Sequence, residues 1–340
     1  MPDPDRPGGD DEPGVAVMKQ LLNISVNPAP GHLLGDWQQA RRWLSRWSLD
    51  GFELAPHGRW CHDAVPADLA GGLHLTFFPI LTPFWRQDWR ELLRIFGNRQ
   101  TVEHFYGGLE PDHLVAIYVD QLQLAQALQL PYVVFHPVTC DMAHLFSQAF
   151  PWHWRDTLAV CAELLNASLS RSGYRGRVLF ENLWWPGSFR LDSRLEYDTL
   201  RRLVNFDNCG LCFDSGHRMA TNTALTSEAD GVAWLLKELR RLDLTSEIHT
   251  LHLNCSLSGH YIEQAKGQTA PYANCPDFWH QLEVALKHVS TIDGHHPFSR
   301  VDLRPLIDAC EPGHLVHELA QSSLEGWAAA IEQQTSLVRP

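Results

Sequence analysis

The sequence predicts a single (β/α)8 barrel, on three observations. Eight short apolar runs recur along the chain, longer segments with helical spacing separate them, and no internal linker divides the 340 residues. The runs are Leu21–Val26, Phe52–Ala55, Leu73–Phe78, Tyr132–Phe135, Val178–Phe180, Gly210–Phe213, Thr250–Leu253 and His314–His317. Several are rich in β-branched or aromatic residues and are bounded by turn formers, as buried parallel strands are. Between them, Leu114, Ile117, Tyr118, Leu122, Ala125 and Leu128 repeat at helical spacing. So do Leu158, Cys161, Leu164, Leu165 and Leu169, and again Val232, Leu235, Leu236 and Leu239. Strand and helix in alternation give parallel βαβ units, and eight of them close a barrel. Residues 1–16, rich in Pro, Gly and Asp, read as a disordered acidic tail, which leaves 17–340 for the barrel.

Composition narrows the function classes. Forty acidic against 27 basic residues leave a net charge of −13, without the electrostatic footprint of a nucleic-acid binder. Arg86, Arg90, Arg94 and Arg99 lie along one helix-like stretch with Glu91 among them, a modest patch. No run of eighteen apolar residues predicts a membrane span, and no apolar segment near Met1 resembles a secretory signal, so the expected location is the cytoplasm. The eight cysteines form no paired CxxC knuckles and read as reduced, buried thiols; Cys209 and Cys212 share one strand-like run. Nineteen histidines and 13 tryptophans stand out.

The loops that follow barrel strands build the active face. Those after the third, fifth and seventh strands are long and aromatic, with Trp85 and Trp89 in the first, Trp184 and Trp185 in the second, and Trp279 in the third. Ionisable residues sit where the strands end. They are His74, His136, Glu181, Asp214 with His217, His252, and His317-Glu318, joined by the Asp293-Gly294-His295-His296 segment. Carboxylates and imidazoles gathered in apolar surroundings offset one another only when cations lie between them. A mixed His/Asp/Glu donor set without thiolate suits Zn, Mn or Fe(II) better than Ca. His144, His153 and His260 have no strand-end context and read as surface or structural residues.

Phe135-His136-Pro137, Glu181-Asn182, Cys212-Phe213-Asp214-Ser215-Gly216-His217 and His252-Leu253-Asn254 resemble, in order, the strand-end motifs of the xylose-isomerase-like TIM barrels, the superfamily that also holds endonuclease IV. The resemblance spans about residues 20–335. Asp293-Gly294-His295-His296 is similar to a segment of the endonuclease IV branch that simple sugar isomerases and epimerases usually lack. The resemblance implies two or three divalent ions, zinc above all. His74, His136 and Glu181 would hold one. Glu181 would bridge to a second, held by Asp214, His252 and Glu318, and His217, Asp293 and His295 would hold the third. Cys255 departs from that branch, which has an aspartate after the Leu-Asn pair.

Such a site implies one of two reactions. With three ions, a water activated near Glu181 attacks a phosphodiester in line while the third ion steadies the leaving oxygen. With two, Glu181 and Glu318 shuttle a proton beside a carbonyl, the chemistry of a sugar or sugar-phosphate isomerase or epimerase. A narrower likeness favours the first. Pro83-Phe84-Trp85-Arg86-Gln87-Asp88, Tyr106-Gly107-Gly108, Leu183-Trp184-Trp185-Pro186-Gly187 and Asn254-Cys255-Ser256-Leu257-Ser258-Gly259 resemble a branch that includes a cobamide-remodelling phosphodiesterase. That branch opens the nucleotide loop of a corrinoid, a broad molecule with apolar edges that aromatic loops would suit. The expected substrate contacts are Trp85, Trp184, Trp185, Asn182 and Asn254. A non-catalytic corrinoid-binding barrel and a DNA repair endonuclease are the remaining alternatives, the latter opposed by charge.

Overall fold

The computed structural model describes residues 18–27, 29–30, 33–56, 65–266, 268, 271–321 and 323–338. The N-terminal segment 1–16 and Cys61 lie outside these residues. Eight parallel strands follow one another around a closed sheet: β1 (Lys19–Asn27), β2 (Gly51–Pro56), β3 (Ala70–His74), β4 (Tyr132–Phe135), β5 (Arg177–Glu181), β6 (Cys209–Asp214), β7 (Ile248–Leu253) and β8 (His314–His317). Closure is direct: β1 pairs with β8 from Lys19↔His314 to Leu22↔His317. A two-residue extension, Ala29–Pro30, folds back antiparallel on the end of β1. The third strand begins and ends earlier than the apolar run Leu73–Phe78, because Ala70 and Gly72 already pair with β2 while Thr76 to Phe78 leave the sheet.

Local chemistry sets the helix boundaries. The helix Pro111–Ala127 starts on a proline, whose missing N–H costs nothing in a first turn. It buries Leu114, Tyr118, Leu122 and Ala125, as their spacing predicts. Trp154–Ser172 stops at Gly173, which takes the left-handed φ of 70° that ends a helix. Arg194–Leu203 opens with a capping box between Ser193 and Glu196. The stretch holding the four arginines is not one helix. It breaks into Leu81–Trp85, Trp89–Phe96 and Arg99–Tyr106, the last break falling at Gly97 with φ 79°. Nor is it a cationic patch: Arg86 pairs with Glu163, Arg94 with Glu91 and Asp141, and Arg99 lies 4.1 Å over the Trp89 ring. No helix among the described residues is long and apolar enough to cross a membrane.

Two hydrophobic layers hold the molecule together. The larger lies between strands and helices; the smaller fills the barrel with Leu21, Tyr132, Val134, Leu179, Cys212 and Val316. Each buried aliphatic side chain contributes about 2 kcal/mol of transfer free energy. The inner layer also fixes what comes next. Side chains alternate across a strand with a period of two. Two residues beyond Leu21, Val134, Leu179, Cys212 and Val316 stand Asn23, His136, Glu181, Asp214 and Glu318. The apolar floor and the polar mouth are successive rungs of the same inward face. Gly72 has no side chain on this face because a Cβ there would lie 2.3 Å from the Tyr132 ring.

Candidate metal centre

Seven of the nine histidines and carboxylates singled out above come from strand ends or the first turn after one. Glu181 is fully buried at the centre. Its Oε2 lies 2.9 Å from His136 Nε2 and 3.2 Å from His74 Nε2, and its Oε1 3.1 Å from His217 Nδ1. The His74 ring is turned by a bond of 3.2 Å between Nδ1 and the Leu75 carbonyl, which leaves Nε2 facing Glu181. Burial alone would push the Glu181 carboxyl up, but the imidazoles of His136 and His252 outweigh it and hold the pKa well below the ordinary range.

His252 sits between two sets of carboxylates. On one side its Nδ1 is 3.0 Å from Glu318 Oε2, 3.5 Å from Glu181 Oε2 and 3.9 Å from Asp214 Oδ2. On the other side its Nε2 meets Glu53 at 3.1 and 3.2 Å. Glu53, fully buried on β2, was not among the residues drawn from the sequence. Cys212 also reaches this group, and burial pushes its thiol well above the ordinary range.

Asp214 caps the helix Ser215–Ala220 by accepting from His217 N at 2.5 Å. This ties the capping carboxylate and the histidine three residues on into one unit. Burial raises the Asp214 pKa to about 7, with Glu318 and Glu181 adding to it and His217 opposing. Asn182 and Asn254, expected to touch substrate, hold Asp214. Asn182 exchanges two bonds of 2.9 Å with its backbone, and Asn254 Nδ2 donates to its Oδ2 at 2.8 Å. Gly216 makes room for that amide, since a Cβ there would fall 1.6 Å from Asn254 Oδ1.

The last two residues come from the long loop after β7. Asp293 ends the helix Phe278–Ile292, and its Oδ2 lies 2.9 Å from His217 Nε2. His295 Nε2 lies 3.3 Å from Asp293 Oδ1. The segment is pinned by a bridge between Cys255 and His296, with Cys255 N donating to His296 O at 2.8 Å, and by Ala320 N donating to His295 O at 3.0 Å. Turning the chain here puts His295 at φ 43°. Flanking imidazoles hold Asp293 low against its burial, and Asp293 with Glu318 raises His295 to about 10.

The structure brings all nine side chains together, in overlapping groups that also include His74/His252/Glu318 and Glu181/Cys212/His252. Ligand-type atoms lie within 4.8 Å of one another in His74/His136/Glu181, in Glu181/Asp214/His252/Glu318 and in His217/Asp293/His295. Glu181 Oε1, His252 Nδ1, Asp293 Oδ1, His295 Nε2 and Glu318 Oε2 are buried without a hydrogen-bond partner. Polar atoms left in that state are costly, and acceptor atoms converging on a shared point are the donor set of a divalent cation. A cavity of about 410 Å³ opens above them. His74, His136, His217, Asp293, His295 and Glu318 form its base and Phe77, Leu183, Trp185 and Leu319 its sides; no Lys or Arg is among the described residues lining it.

The tryptophans divide. Trp185 lines the cavity and stacks on Trp184, with centroids 4.2 Å apart. Trp184 is buried behind it. Trp85 lies elsewhere, its Nε1 donating to Glu163 at 2.7 Å on the helix Trp154–Ser172. His153 caps that helix and His260 bonds Gln264, both outside the centre.

No curated protein matches the sequence. Among solved structures, endonuclease IV from Thermus thermophilus superposes with a TM-score of 0.52 at 16% identity, over 94% of this chain and 100% of that one. An L-ribulose 3-epimerase gives a TM-score of 0.49 at 11% identity over 95% and 93% of the two chains. A 3-keto-D-glucoside 4-epimerase from E. coli gives 0.46 at 13% identity over 94% and 100%. The first of these likenesses is one of fold. The model of the xylose isomerase-like TIM barrels, the AP endonuclease 2 family, matches residues 41–333, and the chain belongs to that family.

Proposed function

We propose that this chain is a metal-dependent phosphodiesterase that opens the nucleotide loop of a cobamide. The observation that carries the reading is the third group. His217, Asp293 and His295 add a separate donor set beside two groups that already share Glu181. Proton transfer next to a carbonyl has no need of it. Divalent ions, zinc first and Mn or Fe(II) by the same donor chemistry, would be held by the three groups in the order given above. When bound, they supply Lewis acidity, neutralising a phosphoryl group and acidifying a nearby water.

The side chains do the rest. Glu181 lies between His74, His136, His217 and His252 and sets the spacing of the groups. Glu318 lines the cavity and its Oε2 has no hydrogen-bond partner; it would take a proton from the attacking water. Asn182 and Asn254 keep Asp214 aimed at the centre. Among the described residues lining the cavity none is Lys or Arg, so these offer a polyanion no partner beyond the centre, whereas a single diester needs none. Trp185 and Phe77 offer apolar faces to the broad edge of a corrin.

The test is incubation of the metal-replete protein with cobalamin, followed by chromatography of the corrinoid. Release of cobinamide phosphate is the expected result, and an unchanged corrinoid overturns the substrate. A second reading, a sugar or sugar-phosphate isomerase or epimerase, is favoured by one observation: Glu181, Asp214, His252 and Glu318 form a complete four-ligand group without Asp293. It predicts turnover of free ketoses and two bound ions per chain, against more than two for the diesterase.

A further inference from the structure

We propose that Glu53 is a positioning residue that turns His252 into an obligate cation ligand. The inference rests on the metal reading of the centre and adds a group outside its nine ligands. A neutral imidazole carries one N–H and one lone pair, and whatever binds one nitrogen dictates the state of the other. His252 Nε2 faces both oxygens of Glu53, at 3.1 and 3.2 Å. Both Glu53 oxygens already accept, Oε1 from Asn23 Nδ2 and Oε2 from Tyr132 OH, so at the third contact Nε2 supplies the hydrogen. Nδ1 is left with its lone pair aimed at three carboxylates, at 3.0, 3.5 and 3.9 Å. A lone pair facing acceptors is repulsive until a proton or a metal cation lies between them, and a divalent cation satisfies several of the carboxylates at once. Without Glu53 the opposite tautomer becomes available, with Nδ1–H donating to Glu318 and closing the position a cation needs.

Glu53 is itself held by two further donors from across the barrel. Asn23 Nδ2 donates to its Oε1 at 2.9 Å and Tyr132 OH to its Oε2 at 2.8 Å. These bonds use strands β1 and β4 to fix a carboxylate on β2 that orients a histidine on β7. The imidazole ring is thereby clamped through the barrel floor rather than by its neighbours in sequence. A carboxylate behind a metal-binding histidine raises the basicity of the ligating nitrogen as well as fixing its direction.

The test compares Glu53→Gln and Glu53→Leu with the parent chain. Bound zinc per chain is counted by elemental analysis after dialysis, and the zinc dissociation constant of each site is measured by competition with a chromophoric chelator. Loss of such an outer carboxylate costs about 10–100-fold in metal affinity. The expected result is weakening of one ion by about 100-fold in Glu53→Leu and about tenfold in Glu53→Gln, which keeps an acceptor but not the charge. The ion of His217, Asp293 and His295 stays within about twofold, since none of these three ligands interacts with Glu53. Nitrogen NMR of the zinc-loaded parent should show the His252 Nε2 protonated. Unchanged affinity in Glu53→Gln, or a bare Nε2, overturns the proposal, and so does a parent chain that binds no ion through His252. None of these readouts uses a substrate, so failure of the cobamide assay is a separate outcome.

Discussion

The centre is assembled in two ways, and the contrast is instructive. The inner group, Glu181, Asp214, His252 and Glu318, stands on or just beyond four strands, and three of its members have no exposed side-chain surface. Parallel register places them, since Cys212↔Glu181, Asp214↔His252 and Leu253↔His317 set neighbouring strand ends level. The outer group takes His217 from a strand-end helix but Asp293 and His295 from a loop, and the His295 side chain is 28% exposed. Its placement depends on a helix end, one isolated bridge and a left-handed residue. Sites on strands are held more rigidly than sites on loops. The inner group is expected to bind its ion tightly and the outer one to exchange.

The most severe way to break this arrangement is Glu181→Gln, which removes the carboxylate common to both inner donor sets. Turnover should fall by at least about a thousandfold, and elemental analysis should show loss of more than one ion. Asp293→Ala sharpens the contrast instead. It should release one ion, leave the inner group loaded and cost about a hundredfold in diester cleavage, roughly the contribution of one transition-state contact. Retention of full activity would shift the balance to the two-ion isomerase. Gly216→Ala attacks the inner group from behind, because the new methyl displaces Asn254 from Asp214. Thermal denaturation should register about 1–3 kcal/mol of lost stability. The mildest comparison is between tryptophans. Trp185→Ala should raise KM several-fold with little change in kcat, while Trp85→Ala, which touches Glu163 and not the cavity, should alter stability alone.

What the sequence makes legible follows from these placements. Strand ends are readable because a carboxylate or imidazole interrupts an apolar run at its last residue, as in Phe180-Glu181 and Phe213-Asp214. Glu53 escapes notice because it lies in mid-run, between Phe52 and Leu54, where it resembles an exposed residue of an alternating strand. Its phase is the clue: Glu53 pairs level with Asn23, one inward step above Leu21 of the barrel floor. The amides of Asn182 and Asn254 could not be assigned from position alone, since a strand-end side chain can face the cavity or the barrel wall, and only coordinates distinguish the two. The same holds for Trp85, whose loop does flank the mouth while its indole points to a neighbouring helix. The arginines read as one surface stretch because Gly97 is a weak breaker on paper and their acidic partners, Glu163 and Asp141, are distant in sequence.

Asp293 caps the C-terminal end of the 15-residue helix Phe278–Ile292, held by its backbone bond to Val289. The angular position of its carboxylate is therefore set by how many residues precede it in that helix. One inserted residue anywhere from Phe278 to Ile292 would swing the carboxylate about 100° around the axis and point it away from His217. A residue inserted before Phe278 leaves that count unchanged. Among relatives that keep the outer ion, length variation in this connection should be confined to the part before the helix.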